Sequence, residues 1–364
     1  MKFTCEKNAL VSAVSVASRT VAQKSTIPAL EGIYIRAGVK LTLSGYNLET
    51  GITISVDAEI QQTGACIMPS RLFFDIIRKL PDDTVSISVD EKFKVSIRGG
   101  ISSFTITAMS SEDYPELPEV ESDKGISLPQ NELKAMIGGT SFAVSENQAR
   151  PIHTGCLFEV EDTSITVVAV DGYRLALRRW KSEEPIGRTL KFVVPAAALK
   201  EAEKILGDTD DPCTFFLGSK HILFTIGEAT LVCRLLEGEF LDWRRVLPQN
   251  QPVKLAVNVA KMTDSIERVG LIISEKLKSP VRCKFGENTA DFRSVSTIGE
   301  AHDVCQIAGD GQDMEIGFNC RYLLDALRAI PDSECSLELV NGLSPIVMNP
   351  CDGSGRYSYM VLPV

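Results

Sequence analysis

Pro69-Ser-Arg-Leu-Phe-Phe-Asp-Ile-Ile-Arg-Lys-Leu-Pro-Asp82 is repeated 250 residues later (319 − 69) as Asn319-Cys-Arg-Tyr-Leu-Leu-Asp-Ala-Leu-Arg-Ala-Ile-Pro-Asp332. Two arginines, an aspartate and the final Pro-Asp pair recur at matching places, and the apolar residues keep a helical spacing. A third version, Pro195–Asp208, lies at an offset of 126 residues (195 − 69) and retains the apolar positions. Because self-similarity at a fixed period indicates repeated structural units, we predict three copies of one unit of about 125 residues.

The segments between these helices predict the rest of each unit. Apolar, often β-branched residues alternate with polar ones in Val85–Val89 and Ser164–Val168, which is typical of half-buried antiparallel strands. Each unit is therefore predicted to be two helices packed on an antiparallel sheet, the α+β class. Pro-rich stretches predict the boundaries, and the three domains are expected at residues 1–121, 122–248 and 249–364.

Composition narrows the possible functions. The 364 residues are 44% hydrophobic with a net charge of −10, which indicates packed domains and excludes a protein that coats nucleic acid over its whole surface. The amino terminus, MKFTCEKNAL, carries charges where a secretion signal needs an apolar run, so we expect a cytoplasmic protein without membrane association. The ten cysteines form no C-x-x-C pair, so we expect mostly buried thiols and no metal site.

The repeated helices carry cations opposite their apolar side. A helix turns by about 100° per residue. On this basis, the residues of the first repeated helix that are expected to pack inward are Leu72, Phe73, Ile76, Ile77 and Leu80. Those expected outward are Arg71, Phe74 and Arg78, with Arg321, Leu324 and Arg328 in the third unit. One such face is typical of any solvated helix, but its recurrence in an acidic protein favours contact with DNA phosphates, with acids crowded elsewhere. The residues predicted to face DNA are Arg19, Lys24, Arg71, Arg78, Arg150, Lys200, Lys204, Arg321 and Arg328.

Six short motifs add a family resemblance. They are Met1-Lys-Phe-Thr4, Thr26–Leu30, Arg150–Ile152, Val170–Ala176, Arg244–Pro248 and Met314–Phe318. In this order, the chain resembles the β subunit of bacterial DNA polymerase III, the replicative sliding clamp, over essentially its whole length. The resemblance implies the DNA clamp fold and a head-to-tail homodimer that closes a six-domain ring around double-stranded DNA. It also implies loading by a clamp loader, binding to the polymerase III catalytic subunit and other proteins with clamp-binding motifs, and no cofactor.

In this family, partners insert a short peptide between the second and third domains. Carried over by position, the pocket residues are His153, Gly172, Tyr173, Arg174, Leu175, Leu241, Arg245, Val246, Leu343, Pro345, Met360, Val361, Leu362, Pro363 and Val364. Mostly apolar walls suit capture of a leucine or phenylalanine anchor. The alternative is that these are ordinary core residues at a domain junction.

The resemblance also implies the subunit contact. Phe104 and Ile106, on an edge strand of the first domain, would meet Leu271 and Ile272 of the third domain in a second copy. An exposed edge strand with apolar side chains is an association hazard unless a partner completes it. The alternative is that Phe104 belongs to the core.

Two other classes of function compete with a clamp. Catalysis is disfavoured, because the three histidines, His153, His221 and His302, lie in no H-E-x-x-H motif, and G-x-S-x-G and phosphate-binding glycine motifs do not occur. A scaffold that binds only proteins stays open as the alternative. The recurrent basic helix faces argue against it, since such a scaffold has no need of them.

Overall fold

The computed structural model describes residues 1–121, 124–273 and 279–364. Internal contacts divide the chain into two compact units. Unit 1 comprises Met1–Lys134 and Lys200–Leu235, and unit 2 comprises Ala135–Leu199 and Leu236–Val364.

Strands make up most of the secondary structure. In chain order they are β1 (Lys2–Glu6), β2 (Gly32–Ala37), β3 (Leu41–Tyr46), β4 (Thr50–Val56), β5 (Glu59–Gln62), β6 (Gly64–Pro69), β7 (Thr84–Val89), β8 (Lys94–Gly99), β9 (Ser102–Thr107), β10 (Ile126–Pro129), β11 (Gly155–Glu161), β12 (Ser164–Val170), β13 (Arg174–Lys181), β14 (Leu190–Pro195), β15 (Pro212–Leu217), β16 (His221–Ile226), β17 (Ala229–Arg234), β18 (Val253–Asn258), β19 (Val281–Ser296), β20 (Gly299–Phe318), β21 (Glu334–Leu339), β22 (Ile346–Asn349) and β23 (Tyr357–Val361). The helices are α1 (Lys7–Ala17), α2 (Ser70–Lys79), α3 (Gln130–Gly138), α4 (Ala196–Ile205), α5 (Trp243–Val246), α6 (Val259–Gly270) and α7 (Cys320–Arg328).

Unit 1 contains two antiparallel sheets. Their strand orders are β5-β1-β7-β8-β9 and β10-β15-β16-β17-β4-β3-β2-β6. In the larger sheet, β17 pairs with β4 and places Leu231 opposite Ile52, so strands from the predicted first and second domains form one continuous sheet. Helix α1 packs on α2 and on β3 and β4, and the buried side chains of both helices join one apolar core.

Local chemistry explains where α1 begins and how closely it packs. The Glu6 carboxylate accepts hydrogen bonds from the backbone N–H groups of Asn8 and Ala9, at 2.9 and 2.6 Å. These bonds satisfy unpaired donors of the first turn and lower the pKa of Glu6. At the other end, a Cβ on Gly45 would lie 2.0 Å from the Ala17 carbonyl oxygen. Only glycine therefore allows β3 to approach this helix end.

Unit 2 is built on one ten-stranded antiparallel sheet, in the order β14-β11-β12-β13-β23-β22-β21-β18-β20-β19. The carboxyl-terminal strand β23 lies between β13 and β22, with Val361 opposite both Arg174 and Ile346. Helix α6 packs on α7 and the β19–β20 hairpin, and α7 packs on β23. The last strand of the chain thus joins strands from the predicted second and third domains.

The antiparallel strands predicted at Val85–Val89 and Ser164–Val168 are confirmed. The expected half-burial is wrong for Ser164–Val168, which is buried at every position. The predicted faces of the repeated helices need two corrections. Leu72 is 50% exposed, because it flanks the apolar face of α2. Leu324 is only 9% exposed, because α7 buries a wider face than α2 does.

The prediction of mostly buried thiols is confirmed, since eight of the ten cysteine side chains are buried. Burial raises the pKa of the Cys66 and Cys213 thiols to about 12, so both stay protonated and unreactive near neutral pH. Among the residues that the structure describes, no helix combines the length and apolar composition needed to cross a membrane.

Candidate functional site

The basic helix residues of unit 1 are exposed but most have acidic neighbours. Arg78 lies 3.6 Å from Asp75, and its guanidinium sits over the Phe74 ring at 5.5 Å. Phe74 is therefore half-buried under the cation, packed against the core, rather than a fully outward residue. Arg71, Lys24 and Lys200 are also exposed.

Glu201 on α4 lies among these cations, and its place there was not predicted from the sequence. Its carboxylate lies 3.5 Å from Arg19 and 2.7 Å from Lys204. In unit 2, Arg328 pairs with Glu267 at 2.7 Å and Arg321 approaches Asp325 at 3.9 Å. The expected separation of cations from acids is therefore wrong in this respect. Exposed ion pairs contribute only about 0–1 kcal/mol each, so these cations can exchange a carboxylate for a phosphate at small cost.

The predicted pocket residues meet around β23. Leu175 and Val347 stand on either side of Met360 in adjacent strands, and the Leu362 backbone N–H donates to the Tyr173 carbonyl oxygen at 2.8 Å. Leu175, Met360 and Val361 are buried, as the core interpretation expected for them. The accessible apolar surface is supplied instead by the exposed side chains of Tyr173, Leu241, Leu343 and Val364.

A continuous apolar core lies beneath these residues. Its buried members are Leu157, Val168, Val170, Leu175, Leu177, Val193, Phe240, Trp243, Val347 and Met360, and Ile152, Leu236, Val246, Leu247 and Leu362 pack against it half-buried. Several of these, such as Phe240 and Ile152, were not predicted from the sequence. The available signal was that Ile152 belongs to the motif Arg150–Ile152 and that Phe240 shortly precedes the motif Arg244–Pro248.

Helix α5 is held by a polar contact at its first residue. Trp243 Nε1 donates to the Glu159 carboxylate at 3.1 Å, and Arg244 Nη1 donates to the same oxygen at 2.8 Å. The Arg244 guanidinium also covers the Trp243 ring at 4.2 Å. This anchoring leaves Arg245 exposed, with a carboxylate partner in Asp242 at 3.0 Å, and Val246 against the core.

His153 has an unusual environment for a polar residue. Its ring meets the Phe240 ring edge-on, with centroids 5.0 Å apart. Its Nδ1 atom is buried without a hydrogen-bond partner among the described residues. Burial, and to a smaller extent the positive charge of Arg150, lower the pKa of His153. The neutral imidazole is therefore favoured, which suits an apolar setting.

Arg174 is turned inward, which differs from its predicted place in a pocket wall. Its side chain is 8% exposed. Nε donates to Asp171 at 2.8 Å, Nη1 to Asp325 at 2.6 Å and Nη2 to the Phe142 carbonyl oxygen at 2.6 Å. The guanidinium also lies over the Tyr322 ring at 4.3 Å.

Strand β9 forms one edge of the smaller sheet in unit 1, and β5 forms the other. Phe104 on β9 is 40% exposed, which contradicts the alternative of a core residue, whereas Ile106 is half-buried against the core. In unit 2, Leu271 caps the carboxyl end of α6 and is 82% exposed, followed by half-buried Ile272. Both predicted contact regions therefore offer apolar side chains to solvent.

No group of three or more His, Cys, Asp or Glu side chains is placed to hold a metal ion within residues 1–121, 124–273 and 279–364. The structure therefore offers no described metal site.

Comparison with known proteins covers the whole chain. Family models of the DNA polymerase III β subunit match residues 1–118 (N-terminal domain), 127–242 (central domain) and 244–364 (C-terminal domain). The β sliding clamp of Staphylococcus epidermidis is 31% identical over 380 residues, covering 100% of this chain and 99% of the relative.

Solved structures give the same picture. The crystal structure of the DNA polymerase sliding clamp of Bacillus subtilis is 29% identical with a TM-score of 0.95, over 100% of this chain and 99% of that one. The DNA polymerase III subunit β of Pseudomonas aeruginosa is 27% identical with a TM-score of 0.93, over 100% of both chains. The predicted α+β architecture of three repeated domains is confirmed by these matches. Its residue boundaries stay a prediction.

Proposed function

Because the chain belongs to the DNA polymerase III β subunit family, the β sliding clamps, we propose that it encircles duplex DNA as a head-to-tail homodimer and tethers its partners there. It acts in the cytoplasm as a processivity factor, without catalysis and without a cofactor. The observation that supports this most strongly is the full-length match to the sliding clamp of Bacillus subtilis, with a TM-score of 0.95.

The proposed DNA surface consists of the basic helix residues Arg19, Arg71, Arg78, Arg321 and Arg328, together with the exposed lysines Lys24, Lys200 and Lys204 and Arg150. Phosphate contacts position a protein on DNA without reading its sequence. Because Arg19, Arg78, Lys204, Arg321 and Arg328 already have carboxylate neighbours, their contacts with phosphate are weak and exchangeable. A surface of this kind permits sliding, and ring closure rather than affinity keeps the protein on DNA.

The proposed peptide site is the exposed apolar surface formed by Tyr173, Leu241, Leu343 and Val364, above the core around Met360. Exposed apolar side chains with few polar groups among them suit contact with a leucine or phenylalanine anchor from a partner protein. The polymerase III catalytic subunit, the clamp loader and other proteins with a clamp-binding motif are the proposed partners. The scaffold alternative gains no support, because the relatives reported above are sliding clamps or DNA polymerase III β subunits.

Topological retention tests this function. The protein is loaded with a clamp loader and ATP onto a nicked circular plasmid and passed over a gel-filtration column in 0.5 M salt. We expect it to stay with the circular plasmid and to be lost once the plasmid is cut with a restriction enzyme. Equal salt-sensitive loss from circular and linear DNA would instead indicate ordinary electrostatic binding and contradict the proposal.

A further inference from the structure

Each nitrogen of the Arg174 guanidinium donates a hydrogen bond within the protein, and the side chain is only 8% exposed. It makes hydrogen bonds of 2.6–2.8 Å to Asp171, Asp325 and the Phe142 carbonyl, and its face lies over the Tyr322 ring at 4.3 Å. A side chain with these partners would have to break a buried, charge-assisted bond to reach a bound peptide, which is costly. Arg174 therefore acts on the pocket indirectly.

One end of this network sets the shape of a pocket wall. Asp171 Oδ1 accepts the backbone N–H groups of Tyr173 and Arg174, at 2.9 and 3.1 Å, while Oδ2 accepts Arg174 Nε. Gly172 within this turn has a φ of +92°. The turn presents the exposed Tyr173 side chain and the carbonyl that receives the Leu362 N–H at 2.8 Å. Arg174 thus braces both the turn and the carboxyl-terminal segment.

The other end of the network lies on α7. Asp325 accepts Arg174 Nη1 at 2.6 Å and also faces Arg321, one of the proposed DNA-contacting residues, at 3.9 Å. Tyr322 of the same helix stacks on Tyr173, with ring centroids 6.2 Å apart. A proposed DNA-facing helix is therefore joined to the pocket turn by an ion pair and by an aromatic contact.

We propose that Asp325 is a positioning residue for the peptide pocket: through Arg174 it holds the Asp171–Tyr173 turn in its binding geometry without touching the peptide. This inference rests on the proposed function, because it assumes that the pocket binds peptides. Helix α7 would then carry both proposed DNA-facing residues and a residue that positions the peptide pocket. Its distinctive consequence is that a change on α7 alters peptide affinity.

The repeat supplies a matched control. Asp75 occupies on α2 the position that Asp325 occupies on α7, but its ion pair is with exposed Arg78 of the same helix at 3.6 Å. Asp325→Asn and Asp75→Asn therefore remove the same charge from equivalent helix positions. Only the first removes a partner of Arg174.

The test measures the Kd of a fluorescein-labelled decapeptide from the clamp-binding segment of the polymerase III catalytic subunit. We expect Asp325→Asn to weaken binding roughly three- to thirty-fold, the range of such coupled changes, and Asp75→Asn to leave it within about twofold. Asp325→Asn should add little in an Arg174→Lys background, because the two residues act as one unit. Amide hydrogen exchange at Tyr173 and Leu362 should accelerate in Asp325→Asn and stay unchanged in Asp75→Asn.

The outcomes separate the inference from the function beneath it. If the wild-type chain binds the decapeptide and Asp325→Asn binds it equally well, the positioning role is overturned while the pocket stands. If the wild-type chain does not bind, the pocket assignment fails and the inference fails with it. If Asp325→Asn does not fold, the Arg174→Lys variant carries the test, with faster exchange at Tyr173 and weaker binding expected. Unchanged exchange and affinity in that variant would overturn the proposal.

Discussion

His153 shows how one side chain can make the stability of the fold sensitive to pH. Its ring packs on Phe240, and its Nδ1 atom has no hydrogen-bond partner among the described residues. Burial and the nearby charge of Arg150 lower the pKa of His153 below its ordinary value of 6.5. Protonation in the folded state would place a charge against an aromatic ring and an apolar core.

The sign of the effect on stability follows from this shift. Below about pH 6.5 the unfolded chain takes up the His153 proton more readily than the folded chain does. The unfolded state then binds more protons, so stability falls as pH falls, until the folded-state pKa is also passed. We expect His153→Leu to remove this loss. The calorimetric unfolding temperature should fall more from pH 8 to pH 5 in the wild type than in the variant. Parallel profiles for the two proteins would contradict the account.

Burial of a helix side chain could be predicted from the sequence only at the centre of the apolar face of the helix. The spacing correctly identifies Phe73, Ile76 and Ile77 as buried. It fails at Leu72 and Leu324, which lie at the borders of their helix faces, where the width of the packed surface decides exposure. The inward orientation of the Arg174 side chain could not be predicted from the sequence either, because its partner Asp325 is 151 residues away along the chain.

The repeated helices α2 and α7 were also only partly predictable from the sequence. Their existence and their outward arginines were predictable from periodicity. The contacts of Glu201 with Arg19, which follows α1, and of Glu267 with Arg328 on α7 were not, because these acids come from other helices and meet the arginines only in the folded protein. The resulting surface is mixed in charge.

A charge reversal on α2 tests the DNA role of these elements. We expect Arg71→Glu with Arg78→Glu to lower the amount of protein loaded on a nicked circular plasmid. The dependence on salt should also weaken by about one unit of log-log slope per lost phosphate contact. Dimer mass should not change, because neither residue lies on the edge strand β9.

The matched control is Lys92→Glu with Lys94→Glu, which makes the same change in charge at exposed positions beside the β7–β8 turn. This control should load like the wild type. Loss of the dimer in the α2 variant would mean that Arg71 and Arg78 support assembly, and the assignment to DNA would be wrong.

At the scale of the whole molecule, three sequence repeats give two compact units. The repeat predicts the number of domains, but the pairing of β17 with β4 and of β13 with β23 makes each large sheet continuous across a predicted boundary. Such pairing depends on which strand edges meet, and periodicity within one strand contains no information on that. Strand β9 pairs on one side only and is an edge of its sheet. A second copy of the chain can complete this edge.

Closure of a ring by two copies is the central claim, and the mass in solution tests it most directly. Size-exclusion chromatography with light scattering should give the wild-type chain twice its mass of 39.7 kDa. The Phe104→Asp, Leu271→Asp variant should give a single chain mass, because charges would replace exposed apolar side chains at both proposed contact regions. Val39→Asp with Leu48→Asp, which alters two other exposed apolar residues of unit 1, should remain a dimer. A wild-type monomer at micromolar concentration, or a double-aspartate variant that stays dimeric, would contradict the ring or its interface.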